Sequence, residues 1–391
     1  MENIDDIIRN LDTKRMKGDT AADEFIKDVI VKHELKDLNT FFAGHLYNNQ
    51  LNDTDIPKDF LTYINQNSHL PEWADMDLID LAQQTFTRIG PAFVLAYFCK
   101  SLPQCYACGK GAEILYKTGR LTQHTRRRIA QTAQFVLDVM TPGGLESDGR
   151  GIATAIKVRL MHASIRYYFL QEVTKGSIDY DIETIGKPIN QEDLLGTMLS
   201  FSYVVIEGIN KLGVEVSDKE REAILHLWKC VGYLIGIEDL GLIQNFEEAS
   251  MLWKAIETRQ YSKSIEGAAL TSLLIDFLDE ILKEKVLDDI VPMFMYSLMD
   301  KKVVEILGIR KPQHFNPLAI VTFILGMLLL KLESKGFLSK IASHYVNMKL
   351  MIGLEKYIAE GEDTSIYIPP NLKQDWHFHS VSKSLYHFMR K

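Results

Sequence analysis

Apolar residues in this chain recur at three- and four-residue intervals, and they do not alternate with polar ones over any run long enough for a convincing strand. That period is the helical one, in which positions i, i+3 and i+4 share a face. Ala22, Phe25, Ile26, Val29 and Ile30 form such a stripe within Ala21 to His33. Further helices are expected over Met76 to Phe86, Phe93 to Lys100, Gln191 to Leu212, Ser217 to Gly232, Phe246 to Gln260 and Ala268 to Lys285. Three more are expected at Met293 to Leu307, Pro317 to Ser334 and Phe337 to Leu354.

Punctuation supports these bounds. Gly90-Pro91 should end one helix and begin the next, and Thr141-Pro142-Gly143-Gly144 should stop another. Asp148-Gly149 then turns the chain into a further helix, and Ser217 with Glu220 three residues on reads as a capping box. A short hairpin around Ile178 to Ile189 is the one weak strand reading. The fold class expected is all-α, in one domain over residues 1–391, without repeats or low-complexity tracts.

With 46% hydrophobic and 25% charged residues, a sizeable core is within reach. A net charge of −8, with Arg126-Arg127-Arg128 the only dense basic cluster, argues against nucleic acid as partner. The N-terminus shows no charged-then-apolar-then-small pattern, which leads to the expectation of a cytoplasmic protein. Pro317 to Leu330 is the longest apolar run and falls short of the roughly 20 residues a membrane-spanning helix needs, so a core helix is expected there. Four cysteines in so long a chain do not make a disulfide scaffold. Cys105 and Cys108 form a CxxC without a second pair at zinc spacing, and buried free thiols are the better reading. Trp376-His377-Phe378-His379 reads as a structured tail rather than half a metal site. No GxSxG, HExxH, Walker loop or dinucleotide fingerprint is present.

The chemistry concentrates between Leu121 and Leu170. Arg128, Gln131 and Thr132 share one helix face, and His162 lies midway through the next apolar segment. A lone histidine on such a helix is more often a satisfied core residue than a ligand. Facing an Arg/Gln/Thr cluster on a neighbouring helix, it can instead make one side of a haem pocket. Thr132 can equally bond its own i−4 carbonyl, and Arg128 can be one more solvated charge in an arginine run.

The Arg128, Thr132 and His162 set resembles the haem-binding core of the latex-clearing proteins, b-type haem rubber oxygenases grouped with the fungal oxygenases that cleave the farnesyl chain in mycophenolic acid biosynthesis. GAEILYKTGRL (Gly111 to Leu121), NQEDLLGTMLSFS (Asn190 to Ser202) and GINKLGVEVSDKEREAILHLWKCVGYLIGI (Gly208 to Ile237) are similar to segments of that family. The likeness covers roughly residues 75 to 260.

The resemblance implies a globin-like helical core with added N- and C-terminal helices, haem b as cofactor with His162 as proximal iron ligand, and dioxygen as co-substrate. It places Arg128 and Thr132 beside the haem, and makes Glu113 a rough match to a glutamate proposed as base. Gln131 departs from the pattern, because some relatives carry there a lysine that closes the sixth iron position, and glutamine has no amine to do so. The function implied is oxidative cleavage of a C=C bond in an apolar isoprenoid, terpenoid or lipid-like small molecule. The rival from another class is a non-catalytic haem protein that senses gas or redox state; a helical protein without haem is a third. Oligomeric state and substrate identity are not legible.

Overall fold

The structure, a computed structural model, describes residues 4–32, 38–40, 42, 47–52, 57–118, 125–282 and 290–311. The expected helices from Pro317 onward and the Trp376 to His379 tail lie outside them. Among the described residues every regular element is helical; the only strand-like pairing is an isolated bridge between Cys108 and Tyr261. The hairpin expected at Ile178 to Ile189 is overturned. Asp181 caps a four-residue helix there, Ile182–Ile185, and Gly186 closes it at a φ of 98°, so side-chain capping and a left-handed glycine make a turn where a strand was read.

An N-terminal layer consists of α1 (Ile4–Arg9), α2 (Leu11–Arg15), α3 (Thr20–Lys32) and α4 (Lys58–Asn67). The central helix α5 runs from Met76 to Ala96. Here the expectation that Gly90-Pro91 breaks the helix fails: Pro91 lies inside it. An internal proline costs about 3 kcal/mol. Phe86, Ile89, Ala92 and Phe93 are all buried around it, and Phe86 meets Phe93 edge-to-face at 5.0 Å, so packing on both sides of the break outweighs that cost.

A π-turn at Tyr97–Ser101 leads into α6 (Leu102–Ala107) and α7 (Gly109–Lys117). Next come α8 (Thr125–Met140), α9 (Gly151–Thr174), α10 (Ile182–Ile185) and α11 (Gln191–Leu199). A second π-turn, Ser200–Val204, joins α11 to α12 (Val205–Lys211), in place of the single helix expected over Gln191 to Leu212. Asp218–Leu234 is α13, started by the expected capping box, and it makes the most extensive helix–helix contact of the molecule, with α5. The last elements are α14 (Phe246–Gln260), α15 (Ile265–Leu282), α16 (Ile290–Leu298) and α17 (Lys301–Ile306). The final pair replaces the one helix expected at Met293 to Leu307, the chain turning extended at Asp300 (ψ 149°) between them. No helix among the described residues is long and apolar enough to cross a membrane.

Candidate functional site

The two helices that carry the polar face and the histidine form a helical hairpin. Gly143, at a φ of 79°, helps turn the chain sharply after α8. Arg128 lies twelve residues before the end of α8 at Met140, and His162 eleven residues after the start of α9 at Gly151. Nearly equal distances from one turn put the two side chains at about the same height on adjoining helices. Asp138 locks the hairpin by accepting from the Thr154 hydroxyl at 2.6 Å.

Salt links from the N-terminal layer set the rotation of α9. Arg159 and Arg166 lie three residues before and four after His162, on its face. Arg159 forks onto both carboxylate oxygens of Asp19, at 2.6 and 3.0 Å, and Arg166 meets Asp23 at 2.6 Å. Burial raises the Asp23 carboxyl above its ordinary range despite Arg166.

Between these helices, α6, α7, α11 and α14 lies a cavity of about 310 Å³. That volume falls in the usual range for small-molecule sites, roughly 300–1,000 Å³. Leu102, Ile114, Leu115, Phe135, Val158 and Ile165 give it an apolar wall. Arg128, Gln131, Thr132 and His162 all line it. Glu113 does not. It lies on α7 in an ion pair with Lys117 at 2.6 Å, while its neighbours Ala112 and Ile114 face the cavity.

His162 is half-buried on the cavity wall, and desolvation first, then Arg166 and Arg128, pull its pKa down to about 3. The ring is therefore neutral at ordinary pH, the form in which imidazole donates a lone pair to a metal. Its Nδ1 is sealed away from solvent and, among the described residues, has no hydrogen-bond partner, so the acceptor that a ligating histidine usually finds for its second nitrogen is not among them. Thr132 Oγ1 donates to the Arg128 carbonyl at 3.0 Å, which commits its proton to the helix and leaves lone pairs toward the cavity.

Arg128 is not the solvated charge of an arginine run. It is half-buried on the cavity wall, burial lowers its pKa against the opposing pull of Tyr106 and Tyr97, and among the described residues no carboxylate pairs with it. The side chains of Arg126 and Arg127 lie outside the described set. The two π-turns pack on one another, with Ser101 Oγ donating to the Ser200 carbonyl at 2.8 Å. Each adds a residue to its turn and so swings an aromatic ring onto the cavity wall, Tyr97 and Phe201, with centroids 5.0 Å apart.

The opposite wall is acidic but already paired. Glu192 and Asp193 both meet Arg15 of α2, at 3.3 and 2.9 Å, and Glu192 also meets Arg259 at 2.9 Å. Burial nevertheless holds the Asp193 carboxyl above its ordinary range. Cys105 and Cys108 are free thiols facing the cavity, their pKa values pushed up by burial, to about 11 for Cys105. Sequence reasoning passed over Tyr97, Tyr106, Phe201 and the Glu192-Asp193 pair, because only the π-turns and the contact between α2 and α11 bring them to one place.

With this geometry established, the chain can be set beside known proteins. It is 24% identical over 265 residues to the rubber oxygenase of Streptomyces sp. (strain K30), a match taking in 67% of this chain and 64% of that protein's length. Its fold is similar to that of the solved structure of latex clearing protein LCP in the closed state, with a TM-score of 0.70 and 23% identity, covering 91% of this chain and 95% of the other. The family model described as ER-bound oxygenase mpaB/B'/Rubber oxygenase, catalytic domain, matches residues 107–321, which contain α8, α9 and the greater part of the cavity wall. More than half of the chain thus answers to one family description, and the protein belongs to the mpaB/B'/rubber oxygenase catalytic-domain family.

Proposed function

We propose that this chain is a haem b-dependent oxygenase, a single all-α domain that cleaves a C=C bond of an isoprenoid or lipid-like small molecule with dioxygen as co-substrate. The observation that carries the reading is a neutral, partner-free His162 imidazole on one side of an apolar cavity and the Arg128, Gln131 and Thr132 face on the helix alongside. The donor set fits a haem: one uncharged imidazole as iron ligand, a wide apolar wall for the porphyrin, and a cation within reach of an anionic group.

When bound, haem supplies the oxygen-activating chemistry. The chain's own part is positional. His162 offers a lone pair from a ring fixed by α9, and the Arg159–Asp19 and Arg166–Asp23 links keep that helix from rotating. Arg128 adds a positive charge on an otherwise largely apolar wall, where its field is stronger than at an open surface. Gln131, on the cavity wall, would offer a bound iron no amine nitrogen. Leu102, Phe135 and Ile165 give an alkene an apolar seat. Glu113, held by Lys117 off the cavity, is given no role as a base.

The test is the visible spectrum of the purified full-length chain, oxidised, reduced and reduced with CO, alongside oxygen uptake with and without an isoprenoid alkene. About one haem per chain, a CO-shifted Soret band and alkene-dependent oxygen uptake are expected. A protein that stays colourless after haem reconstitution would overturn the reading.

A further inference from the structure

Two residues other than glycine hold a positive φ among the described residues, Asp239 at 62° and Ile189 at 50°. Aspartate enters this left-handed region at little cost, but a β-branched side chain there crowds its own backbone and is a genuine outlier. Such a conformation persists only where the surrounding structure dictates it. At Ile189 it does so from both sides. Before it, Gly186 closes α10 and the Lys187 amide donates to the Arg15 carbonyl at 3.1 Å. After it, Asn190 is fully buried as the N-cap of α11, its side chain accepting from the Asp193 amide at 2.9 Å. The Gln191 amide then donates to the Lys17 carbonyl at 2.9 Å. The Ile189 carbonyl itself accepts from Arg166 Nη1 at 3.1 Å, on the helix that carries His162.

With its backbone fixed in this way, the Ile189 side chain lines the cavity. It packs in one cluster with Ile114, Met161 and Ile165, which also line the cavity, so this part of the wall is aliphatic where Tyr97, Phe135 and Phe201 make another part aromatic. A glycine would meet the backbone requirement without strain. What the isoleucine adds is its side chain: the packing in that cluster and the volume it takes from the cavity. We propose that Ile189 is a specificity-determining residue, its branched side chain closing the aliphatic end of the cavity and setting the length of apolar chain that fits. This deepens the oxygenase reading by assigning chain-length selection, and rests on it only in treating the cavity as the seat of the apolar ligand. Shortening the side chain opens that end to further methylene groups, each of which gains affinity on leaving water.

The probes are geraniol, farnesol and geranylgeraniol, which share a neutral head group and lengthen by one isoprene unit at each step. They are titrated calorimetrically into the full-length parent, Ile189→Ala and Ile189→Gly, with and without reconstituted haem. Both variants should shift the preference towards the longer chain, changing the ratio of affinities between successive lengths by about tenfold. Val231→Ala, in the core but off the cavity, should leave that ratio where it is. Glycine should also match or exceed alanine in thermal stability, reversing the usual order, because alanine is the strained one of the two at a positive φ. Should neither variant fold, Ile189→Val, which removes one methyl group, must move the ratio a few-fold in the same direction. An unchanged ratio in these variants, or a parent that binds none of the series, overturns the proposal. So does a fall in haem affinity with the length preference intact, since the side chain then packs on the cofactor. A colourless protein whose length preference moves keeps this assignment and removes the haem reading; a red protein whose preference stays put does the reverse.

Discussion

His162 carries two separable consequences of its burial. Replacing it with alanine, the best helix former, should leave α9 intact while haem uptake is lost. Soret absorbance and far-ultraviolet circular dichroism on the same sample check both halves, and a variant that still holds haem would remove His162 as the ligand. The second consequence concerns pH. The folded ring titrates near 3 and the unfolded one near the ordinary 6.5, so between those values the unfolded chain binds a proton that the folded chain refuses. Stability from this residue is fully present above about 6.5 and is lost as pH falls toward 3. Urea midpoints at pH 7 and pH 4.5 should fall further apart in the parent than in His162→Ala; equal falls would mean that other groups set the acid limit.

At the scale of elements, α9 depends on acidic residues far away in sequence. Asp19→Ala would leave Arg159 buried without its partner, and such a loss costs about 3–5 kcal/mol. Denaturant unfolding should report that loss. In the haem-loaded protein the Soret band should broaden as well, because the rotation of α9 is no longer held. A cost under about 1 kcal/mol, the value of an exposed pair, would show the link to be peripheral. The crossing of α12 over α5 has a different weak point. A Cβ at Gly208 would stand 2.9 Å from the Ala96 Cβ, on a rigid helix that cannot yield cheaply. Gly208→Val should destabilise by about 1–3 kcal/mol, as overpacking does, measured by thermal melting beside the parent.

Over the whole molecule, one core cluster runs from Ile4 and Leu11 through α5, α8, α11 and α13 to Ile309, and the cavity opens within it. Phe86 is fully buried in α5, edge-to-face on Phe93. Phe86→Ala should cost about 3–5 kcal/mol, read from the shift in denaturation midpoint. The cavity-lining Phe135→Leu should cost less, because one side of that ring already faces empty space, and should act instead on the tightness of an apolar ligand.

How much of this was legible beforehand divides along the range of the interactions. The all-α class, the capping box at Ser217, the stop of α8 at Met140, the start of α9 at Gly151 and both ends of α14 follow from periodicity and turn residues, which act within four residues. At its other end α9 runs one turn beyond the Leu170 at which the apolar pattern ends. The pairing of Arg128 with His162 follows as well, since one marked turn between two helices puts them at about equal heights. The amino-acid sequence by itself therefore determined the helices and the hairpin that carries the polar face. Tertiary structure decided what depends on distant chain. Packing on both faces carried α5 through Pro91, and the N-terminal layer supplied the anions that meet Arg159 and Arg166 and the Arg15 that meets Glu192 and Asp193.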